Sequence, residues 1–283
     1  MGVLFLLLVQ DHKNDTPEGK MILVFFFLMI LLMVLVRFTE PLYAYIFKKP
    51  FYVHFYPFPR RLNYERLFIL QTKFSFYQRL PEKQKSYFEH RVAVFIAKYR
   101  FIGKEGLVVS EEMKVLIAAT STMLTFGMRQ YLYRFFDKII IFPTRYYSTS
   151  KGEYHKGEFN PAVKAIVFSW EDFVEGYLYE NDNLNLGLHE FTHALHFQGL
   201  RSNDISAVIF ADMCAKIIEE VKHEPNRNRL LASGYFRNYA FTNEFEFLAV
   251  ILEYFFETPE TFKQYFPELY SNVKRMINFK EHY

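Results

Sequence analysis

The residues with the clearest capacity for chemistry are His189, Glu190 and His193, which form a His-Glu-x-x-His pattern. On an α-helix, residues four apart lie on one face, so both imidazoles can bind the same cation. Two imidazoles and one further protein ligand are typical of Zn²⁺ that keeps a water in its fourth position. Glu190 follows the first histidine, where its carboxylate can take a proton from that water. The pattern therefore predicts a hydrolytic site with one Zn²⁺ per chain.

The residues around this pattern are typical of a buried helix. The alternative is a helix that carries two histidines by coincidence, but chance produces this pattern only roughly 0.02 times in a chain of this composition. Gly199 is placed to end the helix. Its apolar positions are Leu186, Leu188, Phe191, Ala194 and Leu195.

A third ligand has to come from outside this helix. His196 lies three residues after His193, but a straight helix separates it from His189 by about 10.5 Å along the axis. The two cannot share one ion, so His196 is interpreted as a pocket wall or as a solvated side chain. His223 lies in a polar stretch beside Pro225 and is predicted to be on the surface.

A downstream carboxylate is the expected solution. Residues 243–257 have the apolar spacing of an amphipathic helix, with Glu246, Glu253 and Glu257 along one stripe. Glu246 is the preferred ligand because it lies in the first turn, although spacing alone does not separate it from Glu244 or Glu253. Glu257 is expected to be solvated.

An apolar run near the start of the chain predicts a membrane anchor over residues 21–38. Met21 to Val36 contains no charge, and Lys20 and Arg37 flank it. A signal peptide would need small residues after the apolar core, which are missing here, and a buried core helix would not present Phe and Leu on every face. Residues 1–20 form an N-terminal segment, or an upstream artefact if Met21 is the true start.

The cations beside this run predict its orientation. Five follow it, namely Arg37, Lys48, Lys49, Arg60 and Arg61, whereas only Lys13 and Lys20 precede it. The positive-inside rule then predicts a single-pass protein with its C-terminal part in the cytoplasm. Residues 39–62 are a juxtamembrane linker whose aromatic stretch 50–59 indicates either an interfacial belt or a core-packing segment.

Composition limits the class of protein. The chain of 283 residues is 51% hydrophobic and 20% aromatic, which excludes general disorder. A net charge of +3, spread along the chain, gives no nucleic-acid footprint, and no nucleic-acid partner is expected. Cys214 is the one cysteine, so no disulfide forms within the chain, and its apolar surroundings predict a small core residue.

The remaining patterns predict an α+β fold that is predominantly helical, with a domain over residues 63–283. Lys138–Phe142 and Ala165–Ser169 are short β-branched or aromatic runs typical of strands, and the chain between them indicates a hairpin or loop. Glu171 and Asp172 are interpreted as a polar connection. Helices are predicted over residues 64–77, 81–99, 110–127, 205–221, 227–236 and 243–257.

An ordered series of motifs resembles the Mlc titration factor A family of zinc peptidases, whose catalytic fold is similar to the zincin fold of anthrax lethal factor. The resemblance covers roughly residues 65–275 and implies that Glu246 completes the metal site and that Tyr239 lies near the metal. Two departures are His196, where the family usually has Asp, and the added anchor. The motifs are residues 76–81 (FYQRLP), 88–92 (FEHRV), 115–119 (VLIAA), 167–170 (VFSW), 189–193 (HEFTH) and 243–250 (NEFEFLAV) running into 253–256 (EYFF).

These observations predict a membrane-anchored zinc metallopeptidase that acts on peptide or protein substrates. Glu190 is the expected general base, and Tyr239 is expected to stabilise the oxyanion. An extended peptide is expected to dock along Ala165–Ser169 as an edge strand. The resemblance also implies a regulatory protein partner such as a transcriptional repressor. The alternative is therefore a catalytically weak zinc-binding protein that tethers such a partner at the membrane.

Overall fold

The computed structural model of the chain describes residues 16–148, 152–178 and 181–280. Residues 1–15 of the predicted N-terminal segment lie outside that part of the chain. The chain divides after Phe47 into two compact units. The first contains helix α1 (Pro17–Phe47), which extends beyond the predicted residues 21–38 at both ends. By length and composition α1 can cross a membrane, a criterion that signal sequences also meet.

The second unit, from Lys48 onward, is mostly helical with a small sheet, as predicted. A 3₁₀ turn at Asn238–Phe241 precedes the helix that carries Glu246. The helices are α2 (Tyr64–Lys73), α3 (Ser75–Arg79), α4 (Glu82–Lys98), α5 (Glu111–Leu124), α6 (Trp170–Leu178), α7 (Leu186–Gly199), α8 (Ile205–Lys222), α9 (Glu224–Ser233), α10 (Glu244–Glu257), α11 (Pro259–Tyr265) and α12 (Pro267–Met276). The strands are β1 (Arg100–Gly103), β2 (Lys138–Phe142), β3 (Tyr146–Ser148), β4 (Glu153–His155), β5 (Gly157–Asn160) and β6 (Ala165–Ser169).

The sheet has the strand order β1-β2-β6-β5, and β3 and β4 pair separately as an antiparallel hairpin. Strands β1, β2 and β6 are parallel, whereas β5 runs antiparallel to β6 and forms one edge. The predicted strands Lys138–Phe142 and Ala165–Ser169 are present with those bounds. The expectation that Ala165–Ser169 is an edge strand is wrong, because β2 and β5 occupy both of its sides and all five residues are buried.

Two local expectations also differ from the structure. The helix predicted over residues 64–77 is interrupted at Phe74, which is extended (φ −123°, ψ 94°) and buried against the rings of Phe88 and Tyr177. Glu171 and Asp172, expected to form a polar connection, lie instead in the first turn of α6. The Asp172 N–H donates to Ser169 Oγ at 3.3 Å, and carboxylates in a first turn stabilise a helix start.

Helix α7 lies in the core of the second unit. Phe191 is fully buried, and its ring contacts Tyr133 and Phe168, both at 5.7 Å between centroids. A Cβ on Gly187 would come within 2.7 Å of the Phe173 ring, so α7 and α6 approach too closely for a larger residue. This packing fixes the helix that carries both histidines. Cys214 is also in the core, at 1% exposure, as predicted.

Candidate metal centre

Helix α7 presents both histidines on one side. Asn185 caps the helix, because its Oδ1 accepts a hydrogen bond from the Leu188 N–H at 2.9 Å. The rings of His189 and His193 lie 4.7 Å apart and nearly perpendicular, at 86°. The four-residue spacing therefore brings the two imidazoles together as expected.

Glu246 comes to these histidines from the first turn of α10. Asn243 caps that helix by accepting hydrogen bonds from the N–H groups of Phe245 and Glu246, at 2.9 and 3.0 Å. Glu246 Oε2 lies 2.9 Å from His189 Nε2 and 3.6 Å from His193 Nε2. One ligand atom from each of the three residues lies within 4.8 Å of the others.

These three side chains fit a metal ion. Ligand atoms about 2.1 Å from a tetrahedral Zn²⁺ lie roughly 3.4 Å from one another, close to the two measured separations. Two imidazole nitrogens and one carboxylate oxygen also form a donor set that Zn²⁺ accepts readily. The centre is half-buried, which leaves space for a water or substrate.

Glu253 contacts the other nitrogen of His189. Its Oε1 lies 2.7 Å from His189 Nδ1, and its Oε2 lies 2.5 Å from Arg237 Nη1. Glu253 is 1% exposed, and Arg237 also donates to the backbone carbonyl of Asn183. A carboxylate that accepts from Nδ1–H keeps the Nε2 lone pair available for a metal. The two carboxylates that spacing could not separate thus contact different atoms of one ring.

The charges around His189 favour a cation at this position. Burial alone would lower the pKa of His189, but hydrogen bonds to Glu246 and Glu253 raise it to about 10. Burial would raise the pKa of Glu246, but the two histidines hold it well below its usual range. The carboxylates therefore stabilise positive charge on the ring, whether a proton or a metal ion supplies it.

Glu190 lies between α7 and strand β5. It is 6% exposed, and its Oε2 accepts a hydrogen bond from the Phe159 N–H at 2.9 Å. A Cβ on Gly157 would come within 2.8 Å of Glu190 Cγ and 3.0 Å of Oε1. Gly157 is therefore required for Glu190 to occupy this position, and no motif in the sequence indicated that.

Tyr239 lies on the open side of the centre. Its ring is 6.0 Å from the His189 ring, and the residue is 49% exposed. Burial of its hydroxyl and the adjacent Glu246 carboxylate raise the pKa of Tyr239, so the phenol stays protonated and can donate a hydrogen bond. A cleft of about 460 Å³ is lined by Tyr239, His189, Glu190, Gly157 and Arg237, among other residues.

The other sequence candidates lie away from the three metal ligands. His196 is buried, at 8% exposure with its ring 5.0 Å from that of Phe245, and is therefore not a solvated side chain. Glu244 is exposed and pairs with Lys222 at 2.5 Å. The expectation that Glu257 is solvated is wrong: both of its carboxylate oxygens are buried, and burial raises its pKa to about 8. His223 is exposed, as predicted.

Comparison with known proteins identifies relatives of this chain. The family model described as glucose-regulated metallo-peptidase M90 matches residues 56–277. An uncharacterized protein of Synechocystis sp. is 23% identical over 229 residues, covering 73% of this chain and 81% of the relative. Proteins named Mlc titration factor A in Yersinia pestis and Yersinia pseudotuberculosis are 23% identical over 193 residues, covering 62% of this chain and 70% of each relative. All five candidate site residues fall within the range that the family model matches.

Proposed function

Since the chain belongs to the glucose-regulated metallo-peptidase M90 family, we propose that it is a membrane-anchored, zinc-dependent metallopeptidase. The proposal assigns catalysis to a zincin domain over residues 63–283, similar in fold to anthrax lethal factor, and anchoring to residues 21–38 through a linker at 39–62. The observation that carries it is the convergence of His189, His193 and Glu246, with Glu190, from the helix that bears both histidines, lining the same cleft as His189.

Each residue has a role that follows from its position. His189, His193 and Glu246 would hold one Zn²⁺, which supplies Lewis acidity toward water and the scissile carbonyl. Glu190 takes the proton of the attacking water and passes it to the leaving amine. The Tyr239 hydroxyl donates a hydrogen bond to the oxyanion that develops on the substrate.

Strand β5 is the proposed docking edge for an extended peptide. The Ser169 N–H donates to the Lys156 carbonyl at 2.7 Å, so in the antiparallel register that follows, Gly157 and Phe159 direct their backbone groups away from β6. The Phe159 N–H reaches Glu190, which brings this edge next to the general base. A peptide added here would cross the cleft beside His189.

A second candidate function is binding of a regulatory protein. It is favoured by the relatives named Mlc titration factor A, a name that points to an Mlc partner for those proteins. In this reading the chain tethers such a partner at the membrane and its metal site has little turnover. Because pseudoenzymes commonly lose at least the base, the presence of Glu190 favours the peptidase.

Metal content and peptide hydrolysis of the full chain test the proposal. Glu190→Gln keeps the volume and spares the ligands, so it should retain about one zinc while turnover falls by orders of magnitude. Glu246→Gln should lose zinc and turnover together, and Glu244→Gln on the same helix should behave as wild type. Zinc binding with equal, negligible turnover in the wild type and Glu190→Gln would favour the tether, and absence of zinc in both would refute the peptidase.

The proposed location is tested separately. With the excess of Lys and Arg after residues 21–38, we place the peptidase domain in the cytoplasm. Protease added outside intact cells should leave that domain uncut, and permeabilised cells provide the control. Cleavage in intact cells would reverse the orientation.

A further inference from the structure

Residues 50–61, called the aromatic segment below, connect the end of α1 to α2 and are attached to the second unit by particular side chains. The Tyr56 hydroxyl accepts a hydrogen bond from Arg91 Nε at 2.7 Å, and its ring lies 4.1 Å from that of His90. The His54 ring stacks on Tyr87 at 4.7 Å. The Arg60 N–H donates to His90 Nδ1 at 2.8 Å. The path of the segment over α4 is therefore fixed by contacts.

Other side chains of the same segment project outward. Phe58 is 92% exposed, Phe55 is 73% exposed and Phe51 is 65% exposed. Arg60 and Arg61, which follow them, are also exposed. Phe55 and Phe58, exposed three residues apart, are unfavourable in water unless something apolar covers them. The alternation of fixed and projecting side chains indicates a surface and not an unfolded linker.

The positive charge of this stretch is complementary to an anionic lipid surface. Lys48, Lys49, Arg60 and Arg61 lie between the end of α1 and Asn63, and no acidic residue occurs among them. Aromatic rings beside lysine and arginine are typical of the interface between hydrocarbon and anionic headgroups. The chain position agrees, since the segment starts only three residues after Phe47, where the helix with spanning length ends. Three residues reach roughly 10 Å at most.

We propose that the aromatic segment docks the peptidase domain on an anionic lipid surface, with Phe55 and Phe58 inserted among the headgroups. Arg60 and Arg61 contact lipid phosphates. The inference rests on the proposed anchoring by residues 21–38, but it adds a second attachment that belongs to the domain. Because Tyr56 holds the segment on α4, docking would determine which face of the domain meets the lipid.

Fluorescence of the full chain in lipid nanodiscs tests this proposal. The one tryptophan, Trp170, is replaced by Phe, and a single tryptophan is introduced as Phe58→Trp, as Leu28→Trp within α1, or as Tyr147→Trp on β3, which is 55% exposed. We expect lipids brominated near the headgroup to quench Phe58→Trp, and lipids brominated deep in the acyl chain to quench Leu28→Trp, which lies near the middle of the proposed span. Aqueous iodide should instead quench Tyr147→Trp.

The outcomes separate docking from anchoring. Iodide quenching of Phe58→Trp, together with lipid quenching of Leu28→Trp, overturns docking and leaves the anchor. Lipid quenching of Phe58→Trp alone supports docking and overturns the anchor. Protection from both quenchers would indicate a protein contact and overturn docking. In the Arg60→Gln/Arg61→Gln variant, quenching of Phe58→Trp should fall severalfold and no longer depend on anionic lipid; an unchanged dependence would contradict the role of the arginines.

Discussion

Replacing Glu253 by glutamine should weaken zinc binding without removing a zinc ligand. In the structure Glu253 accepts from His189 Nδ1 at 2.7 Å and pairs with Arg237 at 2.5 Å, while the proposed ligands are elsewhere. Glu253→Gln keeps the size of the side chain and an oxygen that can accept from Nδ1–H. The substitution therefore removes one negative charge from a position that is 1% exposed and leaves the contacts otherwise intact.

The size of the effect follows from the type of hydrogen bond. A bond to a buried carboxylate is about twice as strong as one to a neutral amide, so the exchange costs about 1–3 kcal/mol. For the deprotonated ring, that corresponds to a zinc affinity lower by about 10- to 100-fold, the range found for partners of metal-binding histidines. Arg237 loses its charged partner, but it is partly exposed and can be solvated, so the fold should lose little.

The loss of zinc affinity in Glu253→Gln should depend on pH. The same carboxylates raise the pKa of His189 to about 10, so near neutral pH a proton competes with the metal for Nε2. Glu253 stabilises both the protonated and the metal-bound ring, and its replacement weakens both. The ratio of wild-type to variant affinity should therefore be small at about pH 6.5 and larger at about pH 9.

Competition with a chelating dye at both pH values measures these affinities. Glu257→Gln is the matched control, since Glu257 lies on the same helix without contacting His189, and its zinc affinity should equal that of the wild type. Thermal unfolding without metal checks that each variant folds. If Glu253→Gln bound zinc as tightly as the wild type at both pH values, while Glu246→Gln lost zinc, the supporting role of Glu253 would be refuted.

Three further predictions concern catalysis and stability. Gly157→Ala places a methyl group within 2.8 Å of Glu190 Cγ, so it should lower kcat by about tenfold or more while zinc content stays at wild-type level; unchanged kcat would contradict the need for glycine. Glu257 has a pKa of about 8 when folded and about 4.5 when unfolded, so the folded state binds its proton more tightly and wild-type stability falls as pH rises between these values. In urea unfolding, the free energy of unfolding of Glu257→Gln should match that of the wild type near about pH 4.5. Above about pH 8 it should exceed the wild-type value by about 3 kcal/mol, with allowance for the partial exposure of Glu257. A difference that stays constant with pH would refute this. Arg91 is fully buried and donates to three backbone carbonyls, so Arg91→Met should destabilise the fold by about 3 kcal/mol or more, whereas a loss below about 1 kcal/mol would show that other donors replace it.

Features that depend on local spacing could be predicted from the sequence. The histidine pair lies within one turn of α7, so helix geometry alone brings the two rings together. Capping by Asn243 and the apolar stripe defined α10 to within one residue. The long apolar run similarly indicated a helix of spanning length. Each of these patterns involves residues close together in the chain.

Features that depend on packing between distant segments could not be predicted. Spacing placed Glu246 and Glu253 on the same stripe, and only the packing of α10 against α7 determines which one contacts Nε2 and which contacts Nδ1. Strand Ala165–Ser169 has the apolar composition of either an edge or a centre, and its place follows from pairing with β2 and β5.

Packing between distant segments also determines which charged groups are buried. Glu257 has the sequence context of a solvated residue, but neighbouring segments cover its carboxylate and change its pKa. Arg237 and Gly157 carry no motif, and their contacts join segments far apart in the chain. The sequence by itself therefore determined the chemistry of the candidate site, because its ligand types and helical spacing are local. The tertiary structure decided which groups surround it, because desolvation and contact depend on every segment that packs there.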